Sequence, residues 1–411
     1  MYRYARAVDR TKSGTQVASV FSSSGKGSRL WPFRYELLDG LRGIAALTVV
    51  AEHLEVTTAG QFAVILFFVI SGYCIAASAE SCRRKTLSTR AFMLRRWRRI
   101  YPPYFFAILF YIATRLLNIA LGGHDDLSRS LIVWAQNLTL TQWMSLPFHP
   151  VADAPRNPTL LVTAFWSLNY EEQFYLIMAL ALLLSIRERI SVIGVTLALT
   201  VVGLVWNFRF PGGWITGFFI EYWVHFSLGV ILFYVLCVFP SRTLRVTFPL
   251  AVGFLCVYCM LHVLPWKPAF GVQRRAYVEL AIASGFTLFL FYARPLSAWI
   301  SRQPAWRPIA GLGAISYSLY LVHQFNLRFA ESIVHYGAPR MWAWTQTTAM
   351  MAILVAIGTA FWYFCERPFL NRGMPAVEPE STAQEAISAL RAVATSASTP
   401  QGSTTSSTSG F

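Results

Sequence analysis

Apolar stretches of about 20 residues alternate with short polar or basic segments along most of the chain, the length that an α-helix needs to cross a hydrocarbon core of about 30 Å. Ten such stretches fall near 41–57, 62–79, 101–121, 161–185, 191–208, 218–239, 247–264, 276–293, 309–330 and 343–365. The pattern predicts an all-α polytopic membrane protein, a bundle of about ten transmembrane helices. The run LIVWAQNLTL at 131–140 is too short to cross and could re-enter, so nine or eleven spans compete with ten. No internal repeat links the spans, as one commonly does in transporters. Outside 36–372 the material changes. Residues 1–35 are polar and basic, and 373–411 end in ASTPQGSTTSSTSGF; neither holds enough apolar surface to offset ordering, so both are expected to be disordered tails. The first 30 residues lack a continuous apolar leader, which leaves the first span to direct insertion.

Composition excludes a water-soluble domain. Hydrophobic residues make up 55%, charged residues only 13%, and the mean hydropathy is +0.47, too little polar surface for a chain of 411 residues to cover itself. The net charge of +16 does not point to nucleic acid, because the basic residues mark loops between spans rather than one soluble face. With the N-terminus inside, the inner segments carry 24 Lys and Arg and the outer loops 7. That asymmetry predicts cytoplasmic termini and a multi-pass protein of the plasma membrane, in contact with anionic lipid. The six cysteines lie mostly in or beside spans; Cys256 and Cys259 form a C-x-x-C without a second ligand pair, so no metal is expected. Asn137 heads an Asn-Leu-Thr sequon on the outer side.

Charged residues inside the spans carry the candidate chemistry. Arg42 and His53 both lie in LDGLRGIAALTVVAEHL, and eleven residues at about 100° each end about 20° past three turns, so both leave the helix on one face about 16 Å apart. An ionisable pair within a membrane is a functional site by default. Depth brings in two more spans. From the expected helix starts, His53, the pair Glu171 and Glu172, and His323 all reach similar depth in the outer half of the bilayer. A His–Glu contact there would orient the ring and stabilise an imidazolium, as general base catalysis needs. The same three residues would also serve as the proton relay of a coupled transporter, the competing reading. Bland roles stand beside these: Asp39 suits a helix N-cap, and Ser71-Gly72 suits close packing.

A second signal lies in RRKTLSTRAFMLRRWRRIYPPY, where Arg95, Arg96, Arg98 and Arg99 precede Tyr101-Pro102-Pro103 at the expected start of the third span. Such a cluster orients the loop to the cytoplasm and binds anionic lipid, and it equally suits bidentate grip on phosphates such as those of an acyl-CoA.

The ordered set LDGLRGIAALTVVAEH, FFVISGY, RRWRRIYPPY, FWSLNYEEQFYL, ISYSLYLVH and CERPF resembles the acyltransferase-3 family of integral membrane acyltransferases, over roughly residues 36–370. The family's Arg-x10-His motif maps onto Arg42 and His53, its Glu onto Glu171, its Ser-Tyr…His segment onto Ser316, Tyr317 and His323, and its basic motif onto Arg95 to Pro102. Asn169-Tyr170 departs from the smaller residues associated with that position. The short tail after 375 leads us to expect no appended esterase-like domain. The resemblance implies transfer of an acyl group, usually acetyl from acetyl-CoA as co-substrate with no permanently bound cofactor, to a hydroxyl of a glycan, lipid-linked sugar or related acceptor. On that reading His53 is the base, Glu171 and His323 complete the catalytic set, Arg42 and the arginine cluster hold CoA, and Asp39, Ser71, Glu172, Ser316 and Tyr317 support them. Trp143, Trp214 and Trp266 would stack on sugar or anchor the interface.

Overall fold

The computed structural model describes residues 35–123, 127–145, 160–188, 191–210, 217–263, 271–337 and 342–370, and both expected tails lie outside them. All regular structure among these residues is helical. The order is α1 (Leu37–His53), α2 (Gly60–Arg84), α3 (Thr89–Ala120), α4 (Leu131–Thr139), α5 (Trp166–Arg187), α6 (Val192–Arg209), α7 (Ile220–Phe233), α8 (Arg242–Val263), α9 (Gly271–Ala293), α10 (Trp306–Val322), α11 (Leu327–Gly337) and α12 (Ala343–Phe361).

A helix stands at each of the ten expected spans, and seven of them are long and apolar enough to cross a membrane. The three that fall outside that seven are α1, α5 and α10, which carry His53, the Glu171–Glu172 pair and the Ser316–Tyr317 pair. Burial separates centre from periphery. In α2, and in Ile220–Val238, which is α7 with its π-helical continuation, 72% and 78% of the most apolar stretch is buried, against 17% in α8 and in Ala343–Phe369, which continues α12. The outward faces of α6 and α8 show Val201, Val205, Leu250, Phe254 and Leu261, a surface suited to lipid tails.

Small residues set the two closest helix pairings. A Cβ at Gly72 would collide with the Phe226 carbonyl, and one at Gly229 with the Val69 carbonyl, so α2 and α7 touch backbone to backbone. Gly72 thus takes the packing role of the Ser71-Gly72 pair. In the same way a Cβ at Gly43 would lie 2.7 Å from the Gly313 nitrogen, and one at Gly313 would strike the Asp39 carbonyl, which locks α1 against α10. Asp39 is therefore not the N-cap. Glu36 holds that position, its carboxylate accepting from Ser297 Oγ at 3.1 Å, while Asp39 sits exposed in the first turn.

Two boundaries differ from the hydropathy reading. α3 does not begin at the prolines; Ser88 caps it fourteen residues before Pro102 by accepting from the Ala91 N–H at 3.3 Å, and the arginine cluster is helical. Its 32 residues span about 48 Å, longer than a hydrocarbon core of about 30 Å. Pro102 and Pro103 remove two N–H donors inside it, and next to this gap the Tyr317 hydroxyl donates to the Ile100 carbonyl at 3.0 Å. The ninth expected span stops early, because α10 ends at Val322 and a 3₁₀ turn, Gln324–Asn326, leads into α11. His323 consequently caps a helix end rather than lying within a helix.

The sequon residue Asn137 is fully buried. Its amide donates to Val133 O at 2.8 Å, and its Oδ1 accepts from Gln142 Nε2 at 3.1 Å and Leu161 N at 3.2 Å. No glycan can be attached to a nitrogen so placed.

Candidate active site

Two chambers lie on opposite sides of a shared wall. The first encloses about 50 Å³ and draws Arg42 from α1, Ser71 from α2, Arg99 from α3, Glu171 and Tyr175 from α5, and Ser316 and Tyr317 from α10. Glu171 is its carboxylate, accepting from Ser71 Oγ at 3.1 Å and from the Tyr175 hydroxyl. The Tyr175 pairing follows from helix geometry, since residues four apart share a face. Arg96 and Arg99 both lie in the field of Glu171 and Tyr175. A second carboxylate, Glu366, accepts from Ser318 Oγ at 2.6 Å and balances Arg99 and Arg42.

The arginine cluster is thereby divided. Arg99 turns into the chamber lining, and Arg96 lies half-buried beside it, its Nε buried with no hydrogen-bond partner among the described residues. Arg98 faces outward and is exposed, while Arg95 is half-buried toward Cys82 rather than in the chamber lining. Helical geometry accounts for the division: Arg96 and Arg98 are about 160° apart around the axis, whereas Arg96 and Arg99 are about 60° apart.

The second chamber, about 220 Å³, is lined by Glu52 and His53 of α1, Gln61 of α2, Thr163 and Trp166 at the start of α5, and Arg275 of α9, among others. Glu52 accepts from the backbone N–H groups of Gly60 and of Gln61, the latter at 3.2 Å, and so caps α2. Across the mouth, Gln61 Nε2 donates to Glu279 at 3.1 Å, and Arg275 Nε donates to the same oxygen at 2.9 Å.

His53 ends α1, half-buried and open to this chamber. Behind it lies the fully buried His323, with ring centres 5.0 Å apart. His323 Nδ1 faces two carbonyls, Tyr320 O at 2.7 Å and Leu319 O at 3.2 Å. Carbonyls only accept, so Nδ1 carries the proton and Nε2 offers a lone pair. Among the described residues that Nε2 has no partner.

The structure thus brings together the two histidines and places Glu171 apart from them. The expected His–Glu contact is not formed. α5 begins at Trp166 rather than near 161, which puts Glu171 only about 8 Å into it and faces its carboxylate to Ser71 and the arginines. A relay through His53, Glu171 and His323 is likewise not assembled. Glu172, about 100° round the helix, accepts from Tyr101 and leaves the chamber. Ser316 lines the first chamber while its hydroxyl donates to Gly313 O at 2.8 Å. The departure at Asn169-Tyr170 is structural: Asn169 accepts from Trp143 N at 3.3 Å, and the Tyr170 hydroxyl accepts from Gly217 N at 2.7 Å and donates to Glu221. Trp143 packs on Phe218; Trp214 and Trp266 lie outside the described residues.

Several groups at the chambers are not singled out by the sequence. The lining residues Tyr175 and Tyr320, and Glu366 beside Ser318 and Arg99, sit inside the quoted segments FWSLNYEEQFYL, ISYSLYLVH and CERPF, but tyrosine and a carboxylate at a helix end carry no spacing signal of their own. Glu52, Gln61 and Arg275 come from the ends of three helices that only the fold brings together.

A family model described as Acyltransferase domain matches residues 35–365. YrhL of Bacillus subtilis (strain 168) is 26% identical over 372 residues, 82% of this chain and 55% of its own. The peptidoglycan O-acetyltransferase OatA of Listeria monocytogenes is 23% identical over 379 residues, 82% of this chain and 56% of its own. Protein 2 in picA locus of Rhizobium radiobacter is 34% identical over 154 residues, 34% of this chain and 78% of its own. The chain spans little more than half the length of the first two relatives. No solved structure matches it.

Proposed function

Because the chain belongs to the acyltransferase-3 family, we propose that it transfers an acyl group, acetyl in the first instance, from acyl-CoA to a hydroxyl of an extracytoplasmic glycan. The observation that carries this reading is the pair of chambers with a common wall, one furnished with Arg42 and Arg99 and the other with His53 backed by His323. Guanidinium groups suit the phosphates of a CoA, and a small chamber suits its narrow thioester end. The larger chamber, with Trp166 and several polar groups, suits a sugar ring.

His53 takes the proton of the acceptor hydroxyl as its oxygen attacks the thioester carbonyl. A C–O ester bond forms, the C–S bond breaks, and the departing thiolate takes the proton from His53, so nothing is oxidised or reduced. His323, buried and out of reach of substrate, is a positioning residue that shares the proton of the His53 imidazolium through its free Nε2. Glu171 acts in the other chamber, where, held by Ser71 and Tyr175, its charge faces the guanidinium groups of Arg42 and Arg99. Cytoplasmic termini and the plasma membrane belong to the same reading: the basic end of α3 lies with the donor, about 16 Å of α1 separates Arg42 from His53, and the acyl group crosses while CoA stays behind.

The relatives named peptidoglycan O-acetyltransferase make peptidoglycan the first acceptor to test. In oriented proteoliposomes, labelled acetyl-CoA at the cytoplasmic face is expected to acetylate muropeptides or N-acetylglucosamine oligosaccharides confined to the opposite face. Acetylation only when donor and acceptor share the cytoplasmic face would overturn the sidedness; no consumption of acetyl-CoA with any glycan hydroxyl would overturn the reaction.

A further inference from the structure

Two side chains, Val64 of α2 and Tyr320 of α10, line both chambers among the described residues. They are the wall between the arginines and His53. Tyr320 is held firmly there. Its hydroxyl bridges Ser167 Oγ at 2.6 Å and the Ala164 carbonyl, and its ring meets Phe67 edge to face at 6.3 Å between centres. Both residues are buried, Val64 at 5% and Tyr320 at 7% exposure, and Val64 is β-branched with little rotamer freedom. A wall so built does not swing aside readily.

We propose that Val64 and Tyr320 form the acyl-size filter of the transfer reaction, admitting an acetyl-sized group and turning away longer chains. The inference rests on the reading that acyl-CoA enters from the arginine side. On that route the thioester carbonyl must pass between Val64 and Tyr320 to meet a hydroxyl held at His53, and the carbon chain attached to the carbonyl passes with it. The flanking lining on the donor side, Phe67, Phe68, Ile100 and Leu168, is apolar and suits a hydrocarbon tail, so polarity does not discriminate chain length there. Size at the wall does. In an apolar site each methylene shifts selectivity by about 10- to 200-fold.

The test uses the purified full chain in proteoliposomes with acetyl-CoA or butyryl-CoA as donor and an N-acetylglucosamine oligosaccharide as acceptor, reading the ratio of butyryl to acetyl transfer. Val64→Ala, which deletes two methyl groups and no hydrogen bond, is expected to raise that ratio at least tenfold, and Tyr320→Leu to raise it further. If Tyr320→Leu fails to fold for want of its bonds to Ser167 and Ala164, Val64→Ala alone decides. Val64→Phe is expected to abolish acetyl transfer while CoA binding, measured by equilibrium dialysis, stays intact. An unchanged ratio in Val64→Ala, with the parent active on acetyl-CoA, overturns the filter and leaves the transfer reaction standing. A parent that transfers neither group overturns the donor-side reading and the filter with it.

Discussion

His53 and His323 meet ring to ring, 5.0 Å between centres, because each lies ten residues beyond a glycine, Gly43 in α1 and Gly313 in α10, at which the two helices touch. Equal offsets of about 15 Å from one contact mean that the helices run parallel and in step. The imidazole pair is thus a consequence of small-residue packing far from it, and the pairing assigns unequal roles to two residues of one type.

His53→Ala is expected to lower transfer by a factor on the order of 10² to 10⁴, the usual worth of a general base. His323→Gln should cost less and change the pH profile of kcat, since it alters the group that shares the His53 proton rather than the base itself. Steady-state kinetics across pH separate the two. Equal losses with identical profiles would remove the distinction between base and positioning residue.

The division of the arginine cluster predicts unequal contributions to donor binding. Arg99→Gln and Arg42→Gln should each weaken acetyl-CoA binding by roughly 10- to 150-fold, the equivalent of about 1.5–3 kcal/mol for a charge-assisted bond. Arg98→Gln, on the exposed face, should change it by less than about twofold. Isothermal titration on correctly oriented protein reads the difference; a loss at Arg98 as large as at Arg99 would return the cluster to a diffuse electrostatic role.

Close helix approach has a direct test in detergent or nanodiscs. Gly313→Ala drives a methyl group into the Asp39 backbone and should destabilise by about 1–3 kcal/mol, with loss of transfer as the histidines shift out of register. Gly253→Ala in α8 meets nothing within 4 Å and serves as the control, expected to leave the melting temperature unchanged or raised.

Asn137 should carry no glycan even in a glycosylating host, because its amide is buried and already donates to Val133 O. Asn137→Ala is expected to lower stability by about 1–3 kcal/mol by leaving the Gln142 amide and the Leu161 N–H without their acceptor. Mass spectrometry of the protein from a eukaryotic host reads the first outcome and thermal denaturation the second.

Much of the architecture is legible in the sequence alone. Apolar stretches of helical length located a helix at all ten expected positions, since the cost of exposing backbone in lipid leaves few alternatives to a helix. The helical repeat alone put Arg42 and His53 on one expected face, and reckoned depth grouped His323 with His53 but grouped Glu171 with them as well. Helix boundaries were less legible. The prolines at 102 and 103 read as a start, yet α3 runs through them, because Ser88 supplies a cap earlier and Tyr317 supports the backbone beside them. The α10 break at His323 has no glycine or proline to announce it.

What the chain determines by itself is local: which segments are helical, which faces carry charge, and which small residues allow close approach, all through periods of 3.6 residues and the apolar length of a bilayer. Which side chains share a chamber was decided only by the tertiary structure. Glu171 and His53 looked like partners at equal depth, but Trp166 at the start of α5 lies level with the His53 chamber, and Glu171, about 8 Å further along the helix, lies among the arginines instead. The wall of Val64 and Tyr320 is likewise invisible in sequence, where a valine and a tyrosine in apolar spans are ordinary. It exists because α2 and α10 each bring a side chain between the two chambers, and because Ser167 of α5 and Ala164 just before it hold the Tyr320 hydroxyl in place.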